Sequence, residues 1–147
     1  MLNNKTNILI KTDKEISYMR EAGNIIASIM DKMEKAIEPG ITTIELDNIS
    51  RKEIKKNNVK PAFLGLYDFP NTICASVNEE IVHGIPSKRK LKNGDIISID
   101  AGVIVSGFYS DHAKTFKVGD CAQKEIDLLS DTCLLYTSDA ADEEDSV

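Results

Sequence analysis

Apolar residues recur at alternating spacings of three and four from Ile16 through Met19, Gly23, Ile26, Met30 and Met33 to Ile37. That is the period of an amphipathic helix laid against a core. Thr12-Asp13-Lys14-Glu15 stands just ahead of the stripe. A threonine followed three residues later by a glutamate forms a reciprocal capping box, so the helix is expected to start there. Pro39-Gly40 ends it. The methionines of the stripe read as core packing rather than as metal or cofactor ligands. A second capping box, Thr42-Thr43-Ile44-Glu45, opens a further helix expected to fade at Asn57-Asn58. Two helices joined by so short a loop should lie side by side.

The pattern changes after Pro61. Thr72-Ile73-Cys74-Ala75-Ser76-Val77 is β-prone, and Asn78-Glu79-Glu80 reads as a turn into a further extended run, Ile81 to Ile85. Lys92-Asn93-Gly94-Asp95 signals another turn. It leads into Ile96–Val105, then Ser106-Gly107, then Phe108–Val118. These last two runs predict a long β-hairpin. Helices first and antiparallel strands afterwards give an α/β chain of the α+β kind. No internal repeat is visible. The catalytic or binding body is expected to span residues 1–132. Residues 133–147 are rich in acid, lack any basic residue, and lose all helical or strand period after their first positions. They also resemble a peptide translated from sequencing-adaptor DNA, so the expectation is a non-native acidic tail.

That tail changes how the charge is read. The chain of 147 residues carries 18 Lys and Arg against 24 Asp and Glu, a formal charge of −6. The whole excess lies in Asp131, Asp139, Asp142, Glu143, Glu144 and Asp145. A balanced body offers no electrostatic case for nucleic-acid or membrane binding. No apolar run approaches the ~20 residues of a membrane span. The N-terminus lacks the basic, apolar and small-residue order of a signal peptide, which points to the cytoplasm. Three cysteines, Cys74, Cys121 and Cys133, without CxxC spacing, argue against both a disulfide framework and a structural zinc site.

Candidate chemistry lies on the hairpin. If Ser106-Gly107 is a two-residue loop, Val105 pairs with Phe108, Gly102 with Asp111, and Asp100 with Ala113. Side chains alternate faces along a strand, so Asp100 and Asp111 project from the same face as diagonal neighbours, roughly 7–8 Å apart at the backbone. A three-residue loop would destroy this parity. Two such carboxylates repel unless a divalent cation or a shared proton lies between them. Oxygen donors suit Mn, Co, Fe(II) or Zn. Paired aspartates alone are a weak signal, and either could be a solvated strand residue or a cap. By the same parity His112 points to the opposite face. His83, before Gly84, reads first as a structural hydrogen-bonding residue, and Cys74 as a buried thiol with no basic group beside it.

Taken together, Ile10-Lys11-Thr12-x-x-Glu15-Ile16-x-x-Met19-Arg20-x-Ala22-Gly23, Pro39-Gly40-x-Thr42 with Glu45-Leu46-Asp47, and Pro70-x-x-Ile73-Cys74-x-Ser76-Val77-Asn78-Glu79 resemble type I methionine aminopeptidases, a pita-bread metallopeptidase family. The resemblance continues through Val82-His83-Gly84-Ile85-Pro86, Leu91-Lys92-x-Gly94-Asp95-Ile96, Ile99-Asp100-Ala101-Gly102 and Gly107-Phe108-Tyr109-x-Asp111. It implies the N-terminal half of a pita-bread (creatinase/aminopeptidase-like) fold and hydrolytic removal of the initiator methionine from nascent proteins. It implies two divalent metal ions, with Asp100 chelating one and Asp111 bridging both. The other ligands, a histidine and two glutamates, belong to a later part of the family domain, so this chain alone is expected to be inactive. It also implies that His83 contacts substrate near the scissile bond. Phe63, Leu66, Phe69 and Cys74 fall where the family lines its methionine pocket. Phe63 and Leu66 differ from the cysteine and tyrosine of some bacterial relatives but stay apolar. His112 replaces a residue that is often threonine. The expected partner is the N-terminal methionine of nascent polypeptides, near the ribosome, with the enzyme a monomer. Two other readings compete: an X-Pro aminopeptidase or prolidase of the same fold, which the brief lead before Thr12 disfavours, and a non-catalytic pita-bread binding protein, which retention of Asp100 and Asp111 disfavours.

Overall fold

The computed structural model describes residues 9–137. Its elements run α1 (Asp13–Ala36), α2 (Thr43–Lys56), β1 (Lys60–Pro61), β2 (Ile73–Val77), β3 (Ile96–Val105), β4 (Phe108–Lys117) and α3 (Gln123–Thr137), with a single 3₁₀ turn at Leu66–Asp68. Both capping boxes form. The Thr12 and Thr42 side chains accept from the Glu15 and Glu45 backbone N–H groups, and each glutamate carboxylate accepts in return from the backbone N–H of its threonine, at 2.7 and 2.8 Å. Donors that would otherwise lack partners in the first helical turn are thereby satisfied.

β3 is the centre of the sheet. β2 and then β1 pair antiparallel along one of its edges, and β4 pairs along the whole of the other. Ile97, Ile99, Ala101, Val103 and Val105 are all buried, and they join Ile26, Ile29, Met30, Met33, Leu46 and Ile54 from the two helices in one core. The alternate residues of β3, including Asp100, turn to the opposite face. β4 obeys the same parity. Phe108 stacks on Tyr18 of α1, Lys114 pairs with Glu34, and Ser110 is the nearest neighbour of Gly23, so its even-numbered residues face α1. The apolar stripe of α1 is correspondingly buried only from Ala22 onward. Ile16 and Met19 are exposed because they lie at the hairpin tip, where Phe108 meets Tyr18 and the sheet ends.

Two ionic contacts lock the helices to this frame. Lys32 of α1 holds Glu53 of α2. Asp47, fully buried in α2, accepts hydrogen bonds from the Thr72 N–H and hydroxyl at 2.7 Å, the Asn71 amide at 2.8 Å and the Arg51 guanidinium. It thereby pins the first residues of β2 to the helix. Burial raises its pKa, but the Arg51, Asn71 and Thr72 hydrogen bonds outweigh that, and the net shift is downward.

The structure departs from the sequence expectation in three places. Residues 81–85 are not a strand. His83 sits at φ 60°, which breaks the pleat, and the segment meets β2 only through Ala75 N–H donating to Gly84 O (2.8 Å) and Gly84 N–H donating to the Ser76 hydroxyl (3.0 Å). The short β1 pairs with β3 through Lys60 and Pro61, where no strand was expected. α3 was not foreseen either. It has no capping box and no clean apolar stripe, and it runs through position 133 to Thr137, with Leu128 and Leu134 well exposed. The remainder of the acidic tail, 138–147, lies outside the described residues. Among the described residues no helix is long and apolar enough to cross a membrane.

Replacing Asp47 should expose how much the fold rests on it. Asp47→Ala leaves buried donors unsatisfied and is expected to cost about 3 kcal/mol at pH 7. Because the folded pKa lies below the unfolded one, the carboxylate's stabilisation is complete above the ordinary Asp range and is lost as pH falls through the lowered value. Urea melts of the native chain and Asp47→Asn should therefore differ at pH 7 and converge towards strong acid. A gap independent of pH would show that the ionised form contributes nothing.

Candidate active site

The register of the hairpin decides what meets at the site. Ser106 (φ 49°) and Gly107 (φ 87°) form a two-residue turn with both residues left-handed, the kind whose twist matches paired strands. Val105 pairs with Phe108, Gly102 with Asp111, and Asp100 with Ala113. Asp100 and Asp111 consequently share the face away from the helices. Cys74 of β2 pairs directly with Asp100 across the other edge and so shares that face too. His112 pairs with buried Ala101 and belongs to the helix-facing side.

A cavity of about 550 Å³ opens on this face. Its walls include Asp100 and Asp111, Cys74 at the floor, His83 from the loop after β2, and Phe63, Leu66 and Phe69 from the segment after β1. Every position given a metal, substrate or catalytic role in the sequence is therefore brought to one cavity, and His112 stays outside it. Tyr67 and Ile85 also line it and were not singled out. Ile85 sits inside the His83-Gly84-Ile85-Pro86 motif and could have been flagged there. Tyr67 carries no sequence signal, because its placement depends on two successive left-handed residues, Tyr67 (φ 49°) and Asp68 (φ 62°).

Two glycines allow the walls to close. A Cβ on Gly102 would lie 2.8 Å from the Ala62 Cβ and 3.1 Å from the Phe63 ring, so the bare backbone lets that wall rest on the sheet beside Asp111. A Cβ on Gly84 would come within 2.4 Å of the Ala75 carbonyl oxygen. The loop carrying His83 thus presses directly on β2.

The electrostatics are those of two acids forced together. Burial, followed by interaction with Asp111, pushes Asp100 up to about 6, while His83 acts in the other direction. Asp100 Oδ1 is buried and has no hydrogen-bond partner. A buried carboxylate oxygen without a donor, aimed with a second carboxylate at the same cavity, is the arrangement a hard or borderline divalent cation would satisfy, so the donor set fits a metal. Among the described residues no group of three or more His, Cys, Asp or Glu is assembled for one. The pair also acts on Cys74, whose thiol is pushed up to about 11 by burial and then by Asp100 and Asp111.

Comparison with known proteins follows the same lines. The model of metallopeptidase family M24 matches residues 17–142. The chain is 54% identical over 115 residues to a methionine aminopeptidase of Borreliella burgdorferi, covering 78% of this chain and 46% of that protein. It is 48% identical over 126 residues to that of Clostridium acetobutylicum, covering 85% and 50%. The crystal structure of methionine aminopeptidase from Rickettsia prowazekii superposes with a TM-score of 0.81 at 39% identity, covering 84% of this chain and 50% of that one. The chain spans about half the length of the curated relatives it matches.

The raised thiol gives a direct check on the cavity. At pH 8 a shift of this size removes roughly 100-fold of the reactive thiolate, so iodoacetamide should label Cys74 far more slowly than exposed Cys133. Asp100→Asn or Asp111→Asn should accelerate Cys74 labelling, since each removes a charge that opposes the thiolate. Peptide mass spectrometry after timed alkylation reads both effects, and equal labelling of Cys74 and Cys133 would contradict this environment.

Proposed function

The chain belongs to metallopeptidase family M24, and on that premise we propose that it carries the substrate pocket and two metal-binding carboxylates of an enzyme that removes the initiator methionine from nascent proteins. The observation that carries this reading is the convergence of Asp100, Asp111, His83 and an apolar wall on one cavity. Asp100 and Asp111 would hold two divalent ions, Co, Mn, Fe(II) or Zn. When bound, such ions supply Lewis acidity to the scissile carbonyl and lower the pKa of the attacking water. Phe63, Leu66, Phe69 and Cys74 accept the methionine side chain, an unbranched thioether that fills irregular apolar space well. His83 faces the substrate beside the scissile bond, where an imidazole can donate a hydrogen bond or hold a proton. The setting is cytoplasmic, the substrates are nascent chains near the ribosome, and the enzyme is a monomer.

Two carboxylates are a small part of a two-metal donor set, and on this reading the general base is one of the glutamates that the family carries in the later part of its domain. A missing general base alone typically costs 10²–10⁴-fold. The 147-residue chain supplied with Mn(II) or Co(II) should therefore leave a Met-Ala-Ser peptide uncleaved.

The decisive experiment is a graft. Residues 10–119 are placed in the corresponding part of the Clostridium acetobutylicum relative, and methionine release is measured. The graft is expected to cleave Met-Ala-Ser and spare an X-Pro peptide, with Asp100→Ala or Asp111→Ala lowering kcat/KM by about 10³-fold or more. Cleavage of the X-Pro peptide instead would favour the prolidase reading. Indifference to both substitutions would end the metal assignment.

We also assign residues 1–132 to the catalytic domain and 133–147 to a non-native extension, although the family match runs on to 142. Cutting the chain after Thr132 should then change its urea midpoint by no more than a surface truncation does, within about 0.5 kcal/mol. A loss of several kcal/mol would make the segment part of the fold.

A further inference from the structure

We propose that two buried hydroxyls, Ser76 on β2 and Thr43 at the start of α2, are positioning residues that hold the His83 imidazole at the cavity. The catalytic consequence rests on the proposed contact of His83 with substrate. The placement of the imidazole does not.

The segment that carries His83 has little of its own to hold it. It belongs to no strand, and Ile81, Val82 and Ile85 are 89%, 65% and 59% exposed, so burial of these side chains does not fix it. His83 is itself exposed, with left-handed backbone at φ 60°. A non-glycine residue in that region is strained and persists only where its surroundings over-determine it. The restraint has to come from neighbours that cannot move.

Two rigid elements supply it. The Ser76 hydroxyl accepts from the Gly84 N–H at 3.0 Å, while the Ala75 N–H donates to Gly84 O at 2.8 Å. Gly84 is thus gripped at both backbone polar groups, one residue after His83. Farther along, the Thr43 hydroxyl accepts from the Ser87 N–H at 2.8 Å and donates to Ser87 O at 3.1 Å. The Ile44 N–H also donates to Ser87 O at 2.9 Å, and the Thr43 N–H to Arg89 O at 3.1 Å. These are first-turn donors of α2, which no carbonyl of the helix can reach, so the helix start and the loop satisfy each other.

Between the two clamps lie only Ile85 and Pro86, and Pro86 is buried with its φ fixed by the ring. On the other side of His83, Glu80 accepts from the Val77 N–H at 2.8 Å and the Arg89 guanidinium at 2.9 Å, tying the entry of the loop to its exit. That last pair is open to solvent and contributes little. The hydroxyls differ, because Ser76 and Thr43 are only 3% and 1% exposed. Deleting either leaves a shielded N–H without its acceptor, and the strained His83 is then free to relax. Neither residue lines the cavity, so each acts through His83.

The chain has two histidines. His83 faces the cavity and His112 the helices, so their imidazole signals in proton–nitrogen NMR give probe and control in one spectrum. Ser76→Ala removes one acceptor, and Thr43→Val removes the other hydroxyl at nearly constant shape. Each should shift or broaden the His83 signals and leave those of His112 in place. If Ser76→Ala fails to fold, Thr43→Val carries the test from the other end of the loop. His83 signals that stay unmoved, or both histidines moving together as in a general loosening, overturn the proposal. In the Clostridium acetobutylicum graft, Ser76→Ala should lower kcat about 10- to 100-fold and leave KM within about twofold. It should have no further effect once His83 is replaced by alanine. An undiminished effect in the His83→Ala background would show that Ser76 acts through some other group, which also overturns the proposal. If His83→Ala leaves kcat/KM of the graft unchanged while the His83 signals still respond to Ser76→Ala, the catalytic role of His83 fails and the clamp stands.

Discussion

The arrangement of this molecule depends on the number of residues in one turn. With two residues, Ser106 and Gly107, between β3 and β4, the strands meet Gly102 to Asp111 and Asp100 to Ala113. Both acids then face away from the helices. A single inserted residue would turn one of them into the core, among Ile97, Ile99 and Val103, where an unpaired carboxylate costs far more than the hairpin could return. The core and the site are therefore held in register by the same ladder. The apolar alternation of β3 packs on α1 and α2, and the intervening positions are left for chemistry.

A second constraint places the rest of the cavity. Asp47 draws the start of β2 against α2, and β2 then aligns Cys74 with Asp100. The next segment does not continue the sheet. Its Gly84 settles on the backbone of Ala75 and Ser76, which brings His83 to the cavity that the carboxylates line instead of into a ladder. The site consequently draws on three kinds of support: a strand pair for the acids, a strand edge for the thiol, and two loops for the histidine and the apolar wall.

How much of this could be read from the sequence follows from the range of the interactions involved. Helix starts at Thr12 and Thr42 and the hairpin turn at Ser106-Gly107 are decided within three or four residues, and all were legible. So was the shared face of Asp100 and Asp111, because parity propagates from the turn. The loop at 81–85 was misread as a strand. Its Ile-Val-x-x-Ile composition suits one, but the left-handed His83 and the contact of Gly84 with β2 are tertiary facts. Tyr67 escaped notice for the same reason. α3 was missed because it lacks a cap and an apolar stripe, which are the signals that make a helix visible locally. The metal-ligand and pocket roles proposed for these residues rest on family resemblance. Two aspartates at this spacing specify proximity and repulsion, and they do not name the cation.

Gly102 has a bearing on how such sequences can diverge. Its missing side chain is the space into which Ala62 and the Phe63 ring fit. A mutation to any larger residue at 102 is blocked unless position 62 first becomes glycine and Phe63 shifts, and enlargement at 62 is blocked while the wall rests on the sheet. The two positions, forty residues apart in the chain, are thus free to drift only together. Lineages descended from this one should carry them as a linked pair, with one apolar wall of the cavity inherited as a unit with the strand that bears the acids.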